Sequence, residues 1–256
     1  MITPLRILAE KAIKIKEDIE EKIGKQHGIY TLRVPILMYH HIGYPEKEDN
    51  KKLFVDPLLF KKEMEYLERN KYTTITLDDL TFALKQKKML SKKSIILTFD
   101  DGYLDFYTNA FPILRKYRFK STVFVTTSFV GQKWNLSSSL LIQLQNSSLI
   151  IFGSHTVTHP NLTKITEREL LYEIRESKNS LEKKLGIKIN SFAYPFGTYN
   201  RNIIYEVIKA GYSNAVVTEY GSLHEPDKIY ALKRIRISNK ISQPDFERRI
   251  ANSQTS

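Results

Sequence analysis

The sequence predicts an α/β fold: a barrel of about seven or eight β/α units over residues 31–256, preceded by an amphipathic helix within residues 1–30. Three observations predict it. Short apolar runs rich in β-branched and aromatic residues recur at spacings of roughly 20–40 residues. Helical patterns with their own start signals separate most of them. No Pro/Gly-rich linker or internal repeat divides the chain, so strand–helix alternation points to one parallel sheet, and the number of units favours a closed barrel over an open sheet.

The elements follow in order. Leu5, Leu8, Ala12, Ile15, Ile19 and Ile23 recur at three- and four-residue steps, with Lys11, Lys14, Glu17, Asp18 and Glu21 between them. That spacing predicts an amphipathic helix whose apolar stripe packs on the main domain or a partner, or else meets a membrane surface. Strands are predicted at Val34–Tyr39, Tyr72–Thr76, Ser94–Phe99, Ser121–Val125, Leu149–Phe152, Ser191–Tyr194, Asn214–Thr218 and Arg234–Ile237. Tyr44–Lys52 reads as a mobile loop after the first strand. Asp56-Pro57 caps and starts a helix bearing Phe60, Met64 and Leu67 on one face. A short helix begins at Leu77-Asp78. Another runs from Leu104 to Tyr117, where Pro112 should kink it. Ser137–Gln145 follows. Thr166 and Glu169 form a capping box for a helix stopped by Gly186, and Asn200 caps one ending near Gly211.

Composition narrows the chemistry. The 256 residues hold 40 Lys+Arg, 28 Asp+Glu, six His and no Cys, for a formal net charge of +12. Without Cys there is no disulfide scaffold, thiolate nucleophile, iron–sulfur cluster or Cys-type zinc finger. A bound metal must use His, Asp or Glu. The basic residues are spread along the chain, densest from Lys228 to Arg249, and no nucleic-acid-binding motif accompanies them. The charge therefore reads as a lysine-rich solvated surface, or as attraction to an anionic envelope polymer or headgroup, and nucleic acid is not an expected partner. No transmembrane run occurs. Residues 1–28 lack the apolar core and cleavage site of an export signal. That favours the cytoplasm, whereas a trimmed leader would place the protein outside the cell or in its envelope.

The ionisable residues collect at predicted strand ends. Tyr39-His40-His41-Ile42 closes the first strand, Thr98-Phe99-Asp100-Asp101-Gly102 the third, Ser154-His155-Thr156-Val157-Thr158-His159-Pro160 the fifth and Ala193-Tyr194-Pro195-Phe196-Gly197 the sixth. In a barrel these carboxyl ends share one mouth. On a helical turn, His155 and His159 would present both imidazoles on one side of a shared ion, and one aspartate would complete a two-His, one-carboxylate site. Such a site keeps positions open for water and substrate. Adjacent strand residues point to opposite sides, so Asp100 and Asp101 are expected to do different work, as are His40 and His41. His27 and His224 lie in polar segments and read as uninvolved.

These motifs resemble the polysaccharide deacetylases, the NodB-homology group of carbohydrate esterase family 4. Residues 98–103, 154–160 and 193–197 match its first three motifs, and the likeness spans about residues 34–237. Met38-Tyr39-His40-His41-Ile42 is similar to the branch containing poly-β-1,6-N-acetylglucosamine deacetylases. The resemblance implies a distorted barrel related to the TIM barrel and a divalent metal, most commonly Zn2+, with Co2+ or Ni2+ as alternatives. It implies Asp101, His155 and His159 as metal ligands, Asp100 as catalytic base, His40 as general acid and the Phe196 N–H as an oxyanion donor. Tyr103, Trp134, Tyr194, Pro195 and Tyr199 are candidate sugar-contacting residues. The family's third motif carries an Arg that steadies the base, and Ala193 stands there instead. Arg234 or Arg236, on the last strand, is expected to take its place. The implied activity is de-N-acetylation of an N-acetylglucosamine polymer. The rivals are deacetylation of a small, nucleotide- or lipid-linked sugar, an O-acetyl esterase, and an inactive carbohydrate-binding barrel.

Overall fold

The computed structural model describes residues 4–26, 28, 30–45 and 52–253; His27 and most of the expected mobile loop (46–51) lie outside them. Seven parallel strands form the barrel: β2 (Ile36–Tyr39), β6 (Ser94–Phe99), β7 (Ser121–Val125), β8 (Ile150–Ser154), β9 (Ser191–Ala193), β10 (Asn214–Val216) and β12 (Ile235–Arg236). Their spatial order is β10-β9-β8-β7-β6-β2-β12. Strand β5 (Thr73–Thr74) pairs with the first residues of β6. The remaining gap closes through the segment before β12, where the Leu232 N–H donates to Ala215 and the Val217 N–H to Leu232, both at 2.9 Å. Two short pairs lie outside the barrel: β1 (Leu32–Arg33) with β11 (Leu223–His224), and β3 (His41–Ile42) with β4 (Phe54–Val55).

Strand parity sorts the core. Ile36, Ile96, Phe124, Ala193 and Val216 point inward and cluster with Leu77, Leu80 and Leu84. Leu37, Leu97, Phe99, Val123, Phe152 and Phe192 point outward, beneath the helices. Gly153 makes room for the inward Phe124, since a Cβ there would meet its ring at 2.5 Å. Both faces of the central strands are therefore largely apolar, as a parallel sheet covered by helices requires.

The helices keep the sequence's start signals. Asp56 caps α2 (Pro57–Arg69). Thr76 and Asp79 form a capping box on α3 (Leu77–Lys85), and the Asp78 carboxylate accepts from Asn190 and Asn214, tying this helix to the floor below β9 and β10. The kink expected at Pro112 is a π-helical turn, Phe106–Ala110, leading into α4 (Phe111–Tyr117). Proline lacks the N–H that would continue the α pattern. α5 (Ser138–Asn146), α6 (Glu167–Leu185) and α7 (Arg201–Lys209) follow, the last two capped by Thr166 and Asn200.

One helix was not read from the sequence, and another settles on one side of the alternatives the sequence left open. α8 (Gln243–Asn252) was not expected; Ser242 caps it and a proline follows within its first turn. The N-terminal α1 (Pro4–Gln26) forms, but with its apolar stripe outward. Glu17 faces the barrel instead, accepting from Arg33 at 3.0 Å and from the Ser222 N–H at 3.0 Å, while Glu10 pairs with buried Arg249. Paired and buried, these polar groups make the acidic side the inner one. The Lys228–Arg249 tract is likewise not wholly a solvated surface, because Arg234 and Arg249 are internal.

Candidate active site

Asp101, His155 and His159 meet at the mouth, their ligand atoms within 4.8 Å of one another. The Nε2 atoms of His155 and His159 each lie 3.5 Å from Asp101 Oδ1. His155 Nδ1 lies 2.8 Å from the Ala193 carbonyl; a carbonyl only accepts, so Nδ1 carries the proton and the Nε2 lone pair faces the cluster. Asp101 Oδ1 is buried with no hydrogen-bond partner among the described residues. An orphaned carboxylate oxygen between two imidazoles is costly alone and well suited to a cation, so the residues fit a divalent metal.

The backbone delivers these groups by strain rather than by a helix. Asp101, Thr156, His159 and Phe196 all have positive φ, at 72°, 69°, 62° and 60°. Such conformations are uncommon for non-glycine residues and cluster at functional sites. The left-handed Asp101 breaks strand alternation, so both aspartates face the mouth. His155 and His159 lie on an irregular turn, not the helical turn their spacing first indicated, with ring centroids 4.7 Å apart. The turn is held from outside by Glu173 of α6, whose carboxylate accepts from Val157 N–H at 2.7 Å, Thr158 N–H at 2.9 Å and Thr158 Oγ1 at 2.6 Å. The sequence reading missed Glu173; its signal, a glutamate among apolar positions of an otherwise solvated helix, was legible.

Arg234 rises through the barrel interior to Asp100. Its Nη1 and Nη2 donate to Asp100 Oδ1 and Oδ2 at 2.7 and 2.8 Å, its Nε donates to the Val217 carbonyl at 2.9 Å, and its side chain is 0% exposed. Burial alone would push the Asp100 carboxyl up, but the guanidinium overrides it and holds Asp100 well below the usual carboxylate range. Arg236 is half-buried and its charge opposes protonation of His40. His40 Nε2 stands 3.9 Å from Asp100 Oδ2. Burial lowers His40 to about 4, against the pull of the two aspartates.

His41 points elsewhere, as alternation predicts. Its Nδ1 lies 2.7 Å from Asp105 Oδ2, and its ring is sandwiched between Phe54 and Tyr103. Together with Tyr44, Asn109 and Trp134 these line an open groove of about 510 Å³. Trp134 is 60% exposed there. Tyr103 joins the groove to the mouth: its ring stacks on His41, and burial together with the neighbouring Asp101 carboxylate raises its hydroxyl.

Two candidates for sugar contact are corrected. Tyr194 and Pro195 are buried; the Tyr194 ring packs on Phe192 and Tyr199 and its hydroxyl donates to the Tyr230 carbonyl at 3.0 Å, leaving no face for a ligand. Phe196 is exposed, its ring 4.8 Å from that of His159. Gly197 lies so close to Thr218 that a Cβ would meet its Oγ1 at 2.0 Å, which fixes the turn carrying the Phe196 N–H. His224 is not in a solvated segment: it is buried on β11 with Nε2 2.9 Å from the Val34 carbonyl.

A parallel barrel whose strand ends gather an Asp–His–His cluster beside an Arg-clamped aspartate has the groups of a hydrolytic site that could hold a cation. Comparison with known proteins names the class. Residues 87–215 match the family described as "Polysaccharide deacetylase". The Bacillus subtilis protein YxkH, which carries the polysaccharide deacetylase name, is 33% identical over 237 residues, covering 93% of this chain and 83% of that protein. The poly-β-1,6-N-acetyl-D-glucosamine N-deacetylase of Staphylococcus aureus is 26% identical over 209 residues, covering 77% of this chain and 72% of that protein. The structure of the Streptococcus pyogenes deacetylase PplD, in complex with acetate, superposes with a TM-score of 0.80 at 31% identity, covering 86% of this chain and 98% of that one. This chain belongs to the polysaccharide deacetylase family, and it is a hydrolase of that kind.

Proposed function

We propose that this protein removes acetyl groups from N-acetylglucosamine units of a polysaccharide, by hydrolysis assisted by a divalent metal. The observation that carries this reading is the Arg234-clamped Asp100 facing His40 beside the Asp101–His155–His159 cluster. Asp101, His155 and His159 would hold the metal, Zn2+ being the expected ion, which when bound supplies Lewis acidity toward the amide carbonyl and acidifies water. Asp100, kept ionised by Arg234, accepts the proton of the attacking water. The water oxygen bonds to the acetyl carbon, and the Phe196 N–H is assigned to the resulting oxyanion. Burial keeps the His40 ring neutral at rest. The proton taken by Asp100 passes across the short gap to His40 and from there to the sugar nitrogen as the C–N bond breaks. The products are acetate and a free amino sugar.

A polymer is favoured over a small sugar because Tyr103, which borders the Asp101 carboxylate, also lines the neighbouring groove with Phe54 and Trp134, where flat rings suit pyranose faces along a chain. The S. aureus relative is named for β-1,6-linked poly-N-acetylglucosamine, and we assign the same class of substrate here. Acetate release should be measured on β-1,6-linked N-acetylglucosamine oligomers, chito-oligomers, acetylxylan and a nucleotide-linked N-acetyl sugar, with and without chelator. Chelator-sensitive release that is fastest on the β-1,6-linked oligomers is expected. Release confined to acetylxylan would make the protein an O-acetyl esterase, and release confined to the nucleotide sugar would overturn the polymer reading.

A further inference from the structure

The inverted seating of α1 leaves a feature that deacetylation does not use. Its inner side is acidic and neutralised: Arg33 is ringed by Glu17, Asp18 and Glu21, and Glu10 pairs with Arg248 and Arg249. Its outer side carries Leu8, Ile15 and Ile19, which are 60%, 58% and 51% exposed, with exposed Ala12 continuing the stripe. Their steps of four, three and four residues keep them in one line. Exposed Lys11, Lys16 and Lys22 flank that line, and Glu20 on the same flank is tied to Lys16 at 3.7 Å. A helix that served only to cover the barrel would turn this stripe inward.

The flanking charge selects the occupant. A second copy meeting stripe to stripe would bring Lys11 and Lys16, at the edges of the seam, against lysines of the other helix in parallel or antiparallel pairing. A soluble polyanion would satisfy the lysines and leave the isoleucines in water. An anionic bilayer satisfies both, since hydrocarbon accepts the apolar stripe while headgroups meet the lysines. The net charge of +12 acts in the same direction. We infer that α1 is an interfacial helix that seats this protein on an anionic lipid surface, with Leu8, Ile15 and Ile19 entering the boundary between headgroups and acyl chains.

Vesicle co-sedimentation tests this without reference to turnover. The full chain should sediment with phosphatidylcholine vesicles containing phosphatidylglycerol and bind phosphatidylcholine alone far more weakly. A Leu8→Glu/Ile15→Glu/Ile19→Glu variant should bind at least about ten-fold more weakly. Each of Lys11→Gln, Lys16→Gln and Lys22→Gln should weaken binding about five-fold at low salt. Because the chain has no cysteine, an environment-sensitive fluorophore on Ile15→Cys gives a second readout in an otherwise unaltered protein. Its emission should shift to the blue on anionic vesicles, while a fluorophore on Glu176→Cys, exposed on α6, should not shift. Absence of binding, undiminished binding by the triple variant, or an unshifted Ile15→Cys label would overturn the inference. So would a concentration-dependent dimer that the triple variant abolishes, which would give the stripe to a second copy.

Discussion

Arg234 is the chief group holding Asp100 below the usual carboxylate range, and that dependence can be measured. Replacing Arg234 with Met leaves a buried carboxylate without its counter-charge, which costs on the order of 3–5 kcal/mol of stability and should appear as a large drop in the denaturant midpoint. Arg234→Lys keeps the charge but loses the two-pronged grip, so the protein should fold while acetate release falls roughly ten- to hundred-fold. Unchanged turnover in the folded Lys variant would remove Arg234 from the catalytic machinery. Sequence brought this residue within reach: Ala193 stood where a basic side chain was expected, and two arginines lay on the last strand. It did not choose between Arg234 and Arg236, because residues two apart share one side of an extended segment, and which of them reaches Asp100 depends on how far along the barrel each lies. Tyr194 and Pro195 were misjudged for a related reason. Their motif lies at a strand end, but the chain turns there so that the Tyr194 ring sinks between Phe192 and Tyr199.

At the scale of elements, the turn carrying His155 and His159 leans on α6. Glu173 satisfies two N–H groups and a hydroxyl between His155 and His159, so Glu173→Ala should loosen the turn without touching a ligand. Metal affinity, measured by competition with a chromophoric chelator, should fall about 10–100-fold, as it does when groups supporting a ligand shell are lost. Equal affinity in the variant would show that strand β8 alone positions the histidines. The capping residues Asp56, Thr166 and Asn200 made helix starts legible, since each side chain bonds a backbone N–H nearby in sequence. The side on which α1 docks was not legible. A hydrophobic stripe shows that a helix has two sides, but here Arg33 and Arg249, remote in sequence, draw the acidic one inward. The turns at Asp101, Thr156 and His159 were equally hidden, because left-handed backbone in non-glycine residues follows from tertiary constraint, not local propensity.

For the whole molecule, buried histidine couples folding to pH. Burial lowers His224 to about 4, with the Val34 carbonyl pulling the other way and Lys233 and Arg33 adding to the decrease. Above pH 6.5 the ring is neutral folded or unfolded. Between 6.5 and 4 the unfolded chain takes a proton that the native chain refuses, so stability falls as pH falls, by up to about 1.4 kcal/mol per unit from this group. His224→Gln keeps a donor toward Val34 and removes the charge, so the slope of unfolding free energy over that window should flatten; an unchanged slope would mean that His224 ionises freely in the native state. The barrel brings together groups just beyond the ends of β2, β6, β8 and β9 and from the β12 approach, and the central claim is that this mouth performs metal-dependent de-N-acetylation with Asp100 as base. The most direct measurement pairs acetate release from β-1,6-linked N-acetylglucosamine oligomers with elemental analysis of the same preparations. We predict chelator-sensitive release by the native protein, at least about a thousand-fold less from Asp100→Asn with its metal retained, and loss of the metal itself in His155→Ala. Substantial turnover by Asp100→Asn, or metal undiminished in His155→Ala, would contradict the account.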